Sequence, residues 1–406
     1  MSNWQEVALG EVCSIEIGGT PSRSNESYWW KSEDDGIRLP WVSISDMKEK
    51  TIMDTKESIT EAGASQSNCK HVPKGSLLMS FKLTIGRLAF AGRDLYTNEA
   101  ISTIKPIKDI LPEFLYYGLQ YWNLTGDSDQ AVKGVTLNKQ KLQEIPCLLP
   151  PLPEQKKIAE ILSGIDAITS SLQAKRHKLL CLFHSLLDAS FPFQTQQETA
   201  IDELPIHDAS GTLASKSLGE ICAEIGDGIH ATPEYSDDGD YYFVNGNNLS
   251  GGKISTSGNT KRVSASEKSK YKDKLAEDSV LMSINGTIGN IAFYEGEKVL
   301  LGKSACYLNP SPELDRHYLY NFLSAPSTQE YFRGELTGST IKNLSLKTIR
   351  STMIYLPSMS KQKEISLRIE SVRRCIAENS AQASKAREIK CALADALLSG
   401  RKRVSI

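Results

Sequence analysis

The sequence has no apolar run approaching the ~18–20 residues that a bilayer-spanning helix needs. It has no C-x-x-C pair among its eight cysteines and no excess of charge of either sign. The first absence leaves no candidate membrane segment, and the polar, acidic start Met1-Ser2-Asn3-Trp4-Gln5-Glu6 lacks a signal-peptide core. Cysteines scattered at 13, 69, 147, 181, 222, 306, 375 and 391 of a 406-residue chain read as reduced thiols of a cytoplasmic protein, not as a disulfide frame or a zinc site. A formal net charge of −2 excludes a uniformly basic, histone-like coat for nucleic acid but leaves room for local basic faces. With 40% hydrophobic and 24% charged residues the chain can bury ordinary cores, and its length suits two or three domains.

Catalytic motifs are missing too. Gly302-Lys303-Ser304 resembles the end of a phosphate loop, but Gly296 stands one residue too far upstream and Val299-Leu300-Leu301 is strand-like. Asn309-Pro310-Ser311-Pro312 lacks the adjacent second proline and the aromatic of an amino-methyltransferase motif and reads as a turn. Glu154-Gln155-Lys156 and Glu388-Ile389-Lys390 lack the strand-borne Asp of a nuclease metal site. The six histidines form no H-E-x-x-H, and no G-x-S-x-G occurs. No cofactor and no metal is expected on this chain.

What is present is a duplication. Leu9-Gly10-Glu11-Val12-Cys13 returns as Leu218-Gly219-Glu220-Ile221-Cys222. Residues 72–90 match 275–293 at a constant offset of 203, with Ser76, Leu78, Met79, Ser80, Thr84, Ile85, Gly86, Ala89 and Phe90 each meeting their own residue type. Leu149-Pro150 and Gln155-Lys156 pair with Leu356-Pro357 and Gln362-Lys363 at an offset of 207. In each copy short apolar stretches broken by Gly, Pro, Asn, Asp and Ser predict a β-rich head, with helical pieces over 112–124 and 315–323. Each head gives way to a long segment with helical periodicity. The first carries apolar residues at 158, 161, 165, 168, 172, 179, 182 and 186, interrupted by Lys175. The second seam is Ile365, Ile369, Val372, Ile376, Asn379, Ala383, Ala386, Lys390, Leu393 and Leu397. Gaps of three and four over about four heptads predict coiled-coil pairing.

The expected fold is therefore α+β. Two β-rich heads, 1–150 and 213–356, are separated by two long helices, 151–192 and 357–406 with a C-terminal tail. The helices pack as an antiparallel coiled coil under a pseudo-twofold internal repeat, with 193–212 as an acidic linker. Charge is unevenly spread: residues 1–150 hold 16 Lys+Arg against 19 Asp+Glu, 213–356 hold 15 against 17, and 357–406 hold 11 against 5. Neither head is basic, so DNA binding through phosphate neutralisation needs local clusters or a partner protein. The alternative is a structural scaffold whose tandem heads bind proteins or glycans.

With the two-copy layout, Ile17-Gly18-Gly19-Thr20-Pro21, Ser80-Phe81-Lys82-Leu83-Thr84-Ile85-Gly86-Arg87, the Leu149-to-Ile158 run and the closing Leu398-Ser399-Gly400-Arg401-Lys402, the chain resembles the specificity subunits of type I restriction–modification enzymes. The resemblance implies a non-catalytic subunit in which each head is a target recognition domain reading one half of a bipartite double-stranded DNA site. It implies helices that space the heads and dock two methyltransferase subunits, with restriction subunits added in the full complex and S-adenosylmethionine held by the modification subunit. The second copy departs from the pattern at Leu356-Pro357-Ser358-Met359-Ser360, which lacks the Pro-Leu-Pro-Glu core.

Comparing the copies nominates DNA-binding residues. Around the shared Thr84 and Thr287, Lys82 faces Asn285 and Arg87 faces Asn290; Arg and Lys suit guanine, Asn suits adenine. A second block sets Ser43, Ser45 and Asp46 against Asn245, Asn247 and Asn248. A third pair of loops adds Lys133, Thr136, Asn138 and Lys139, with Ser339, Thr340, Lys342 and Asn343.

Overall fold

The computed structural model describes residues 4–122, 138–191, 214–338 and 342–404. The chain forms two compact units, one of residues 1–172 with 382–406 and one of residues 173–381. In the first, a five-stranded sheet runs in the order Cys13–Ile17, Ile101–Pro106, Leu77–Ser80, Leu88–Ala91, Thr51–Ile52. A four-stranded sheet runs Glu57–Ile59, Leu39–Val42, Leu95–Thr97, His71–Val72. The second unit repeats the plan with Cys222–Asp227, Ala305–Pro310, Val280–Ser283, Ile291–Phe293 in one sheet and Arg262–Val263, Tyr241–Val244, Val299–Leu301 in another.

The matched strands are apolar throughout because both of their faces are covered. Leu77 and Met79 enter one core with Phe114 and Leu115 of the helix Pro112–Tyr121, while Leu78 enters another with Val42, Val72 and Leu95. In the second unit Val280 and Met282 join Tyr318 and Leu319 of the helix Arg316–Ser324, and Leu281 faces Val244 and Leu301. Each unit also has a short antiparallel pair, Gln5–Ala8 with Pro146–Leu149 and Ala214–Ser217 with Met353–Leu356. It ties the start of the head to the segment that leads into the long helix. Asn309, read from the sequence as part of a turn, lies within the strand Ala305–Pro310 instead; its buried side chain accepts from Ser279 Oγ and donates to the Lys274 carbonyl.

The long helices run Leu152–Ser190 and Met359–Leu398, 39 and 40 residues, or ~58–60 Å each. Their pairing is antiparallel inside each unit. In the first, Glu154 bonds Arg403 just past the end of the second helix and Asp166 bonds Lys390. In the second, Leu187 and Phe191 share a core with Ile365 and Ile369, and Arg373 lies over the ring of Phe183. Each helix thus gives one half to each unit, where its stripe belongs to that head's core.

The second seam lies where the periodicity placed it: every one of its residues is buried or half-buried. The first is corrected at alternate positions. Ile168 and Leu182 are 55% and 54% exposed, and Thr169 and Phe183 turn inward instead. The stripe keeps the seven-residue repeat, with 158, 165, 172, 179 and 186 as predicted, and its alternate positions fall one residue later, at 162, 169 and 183 instead of 161, 168 and 182. The linker 193–212 lies outside the described residues.

Candidate nucleic-acid interface

Each head presents a loop built on one buried serine. Ser80 Oγ donates to the Thr84 carbonyl and accepts from the Arg87 N–H at 3.0 Å, and the Ser80 carbonyl accepts from the Gly86 N–H. Ser283 repeats all three bonds with Thr287, Asn290 and Gly289. Gly86 and Gly289 have φ of +82° and +84°, the left-handed turn that lets the chain return. The loop shape is therefore set internally. It leaves Lys82, Leu83 and Thr84 displayed in one head, and Asn285, Gly286 and Thr287 in the other.

The second predicted block lies beside this loop. Arg87 Nη1 donates to the Ile44 carbonyl at 3.2 Å, joining the turn Ser43–Asp46 to the Ser80 loop. Asp46 holds that turn, since its carboxylate accepts from the Ser43 N–H and hydroxyl at 2.8 and 2.7 Å. Asn248 does the equivalent for Asn245 at 3.0 Å and donates to the Ser255 carbonyl. Ser45 and Asn247, at the tips, are exposed. In the second head the bridging is done by Gly302-Lys303-Ser304. Ser304 Oγ donates to Asn245 Oδ1 and accepts from the Gly246 N–H, while Asn285 Nδ2 donates to the Lys303 carbonyl. Asn343 joins the same cluster through a bridge to Asn285, and Lys342 beside it is exposed.

The remaining predicted residues divide. Asn138 caps the short helix Lys139–Gln143, accepting from the Lys141 N–H at 2.8 Å, and Lys139 is exposed on that helix. Lys133, Thr136, Ser339 and Thr340 lie outside the described residues. Sequence reading missed Lys303, which is exposed beside Asn285, because Gly302-Lys303-Ser304 was weighed only as a nucleotide loop. It also passed over Leu83. So Lys82 and Arg87 in one head, and Lys303 and Lys342 in the other, put cations next to neutral donors and acceptors on surfaces whose heads are slightly acidic overall.

Among the described residues no group of three or more His, Cys, Asp or Glu is arranged to hold a metal ion. Burial pushes the thiols of Cys13, Cys147, Cys222 and Cys306 up to about 12, far from a reactive thiolate. No described helix is long and apolar enough to cross a membrane.

Comparison with known proteins agrees with this reading. The pattern of the family described as Type I restriction modification DNA specificity domain matches residues 1–180 and 212–386. The MjaIX specificity subunit of Methanocaldococcus jannaschii is 27% identical over 234 residues, 54% of this chain and 51% of that one. The HindI specificity subunit of Haemophilus influenzae is 27% identical over 182 residues, 43% of this chain and 38% of that one. The chain thus aligns with about half or less of the length of these relatives. A putative MjaX specificity subunit of M. jannaschii aligns at 22% identity over 99% of this chain and 94% of its own. The type I S subunit from M. genitalium shares the fold with a TM-score of 0.57 at 16% identity, covering 98% of this chain and 96% of that one. A further chain, from a structure of type I restriction–modification complex assembly, reaches 0.62 at 18% identity, covering 98% of each. With the family pattern found twice over most of its length, the chain belongs to the type I restriction–modification DNA specificity family.

Proposed function

We propose that this chain is the non-catalytic DNA sequence-recognition subunit of a type I restriction–modification complex, each head reading one half of a bipartite site. The observation that carries the reading is the repeated loop. Two serine-anchored scaffolds with the same three hydrogen bonds display Lys82, Thr84 and Arg87 in one head and Asn285, Thr287 and Asn290 in the other. A fixed frame with different polar tips is what two readers of different half-sites require.

In this reading the long helices dock two methyltransferase subunits, which carry S-adenosylmethionine, and restriction subunits join the full assembly in the cytoplasm. A docking role for the helices is supported by Leu182 and Ile389. They occupy equivalent positions of the repeat, 207 residues apart, and are 54% and 43% exposed. A partner present in two copies needs such a repeated apolar foothold.

The test is a gel-shift over a salt series, with and without the methyltransferase, on duplexes bearing the two-part motif whose methylation is lost from the host when this gene is deleted. The expected outcome is selective binding that needs the partner and weakens steeply with salt. Lys82→Ala should cost roughly tenfold on one half-site alone. No selectivity and no salt slope in the partnered complex would leave the heads to bind something other than DNA.

A further inference from the structure

The Ser80 loop carries one side chain whose placement its own fold does not explain. Leu83 is the only described residue other than glycine with a positive φ, at +62°, and its side chain is 93% exposed. Either feature alone is unfavourable: the left-handed region crowds an L side chain, and a leucine left in water forgoes its burial. The equivalent position of the second head shows that the loop does not need a side chain there. It is Gly286, with φ +74° and open space around the place a Cβ would take. The two loops otherwise share their serine anchor, glycine turn and threonine. The first head therefore keeps a strained, exposed leucine where its twin uses the residue that suits the backbone. Strain held at a defined surface point is a sign of use when nothing in the fold demands it.

The surroundings say what the use is. Leu83 sits between Lys82 and Thr84, and Arg87 fastens the same loop to the Ser43–Asp46 turn. It is the apolar point of a surface otherwise made of hydrogen-bonding and cationic groups. We infer that Leu83 is a base-contacting residue of the first head, laying its side chain against the bases of that head's half-site while the flanking cation and hydroxyl hold backbone and base edges. The inference rests on the DNA-recognition reading above. Apolar side chains read DNA in this way, against the thymine methyl or between base steps. It follows that the two heads differ in kind, the first using apolar contact and the second none at this position.

The experiment uses full-length chain in complex with its methyltransferase and three duplexes: the methylated two-part motif, and versions with one or the other half scrambled. Leu83→Gly copies the second head and relieves the backbone. Leu83→Asn keeps a side chain that tolerates positive φ but is polar. Neither should lower the unfolding temperature, and both should weaken binding to the intact motif about tenfold, equivalent to about 1.4 kcal/mol. Discrimination should fall for one half-site and stay unchanged for the other. Three results overturn the inference while the DNA reading stands: wild-type affinity for both variants, wild-type affinity for Leu83→Asn alone, or equal loss on all three duplexes. A wild-type complex that discriminates none of the duplexes removes the DNA reading and this inference together.

Discussion

Gln155 and Gln362 occupy the same place in the two copies and make the same three hydrogen bonds, so one perturbation can be made twice. Gln155 is fully buried. Its Nε2 donates to the carbonyls of Asp109 and Pro150 at 2.8 and 2.9 Å, and its Oε1 accepts from the Leu111 N–H at 2.9 Å. Gln362 does this with Glu313, Pro357 and Asp315 at 2.9, 2.9 and 2.8 Å. Each amide fastens the loop before the helix Pro112–Tyr121, or its counterpart Arg316–Ser324, to the first turn of the long helix. Replacing it by leucine keeps the volume and strands two carbonyls and one amide. At about 1 kcal/mol net per bond, plus the cost of any group left dry, the loss is about 2–4 kcal/mol. Glutamate is worse at neutral pH, because it retains only the acceptor and sets a carboxylate against two carbonyls. That introduced carboxyl binds its proton more tightly in the folded than in the unfolded chain, so the deficit shrinks as pH falls. All five tryptophans (4, 29, 30, 41 and 122) lie in the first unit, which supplies a selective reporter. Urea unfolding of Gln155→Leu should show an earlier transition in tryptophan fluorescence. Gln362→Leu should shift far-UV circular dichroism with a smaller change in fluorescence. A loss below about 0.5 kcal/mol in both variants would mean that water replaces the amide and that these bonds do not fasten head to helix.

Two further predictions concern the helix pair. Asp166 is raised by burial, but bonds from Lys390 and Tyr117 and the charge of Lys50 outweigh this and hold its pKa below the usual aspartate range. A depressed folded-state pKa contributes stability above the unfolded value of ~3.9 that is lost as pH falls through the folded one. Asp166→Asn should therefore cost about 1 kcal/mol at pH 7 and progressively less as pH falls through the acid range, measured by urea titration over a pH series. Asn379 is 2% exposed, and neither atom of its amide finds a hydrogen-bond partner among the described residues. Asn379→Leu should raise the unfolding temperature of the pair, since a buried unpaired amide costs about 1–3 kcal/mol. An unchanged or lower value would point to a bridging water or a tight fit for the amide.

How far the sequence went depends on which interactions are local. The duplication is read by laying one half of the chain on the other, the long helices and the second seam rest on spacings within one segment, and those survive. The sheets pair strands far apart in the chain, such as the parallel contact of Leu39–Val42 with Leu95–Thr97, and no period announces them. The seam of the first helix slipped by one residue at alternate positions because Ile161, Ile168 and Leu182 keep the heptad spacing as well as Leu162, Thr169 and Phe183 do, and only packing decides. At the candidate interface, residue type suggested polar tips, and Ser45 and Asn247 are exposed. It could not show that Asp46, Asn248 and Asn138 direct their side chains to their own turns. A buried serine that shapes a loop and an exposed leucine that the loop does not need look ordinary until φ and burial are known.

What the two copies keep and what they change obey different rules. The serine anchors and the glutamine bonds are the same, and all are internal. The displayed residues differ, and so does one contact inside the helix pair. Asp166 and Arg373 are equivalent positions, 207 residues apart, as are Phe183 and Lys390. The first unit joins Asp166 to Lys390, with Tyr117 donating to the carboxylate at 2.7 Å. The second stacks Arg373 on Phe183 and on Tyr320, at 5.4 and 5.0 Å. Each is a satisfied pair, but they cannot be exchanged. Pairing the second helix with a copy of itself would set Arg373 against Lys390, two cations with only Glu370, already 2.6 Å from Arg373 on the same helix, to offset them. Pairing the first with itself would set the Asp166 carboxylate against the Phe183 ring. Both mispairings are disfavoured where the observed one is not. The divergence therefore has a structural use of its own: it favours pairing of the first half of the chain with the second over pairing of either half with a copy of itself.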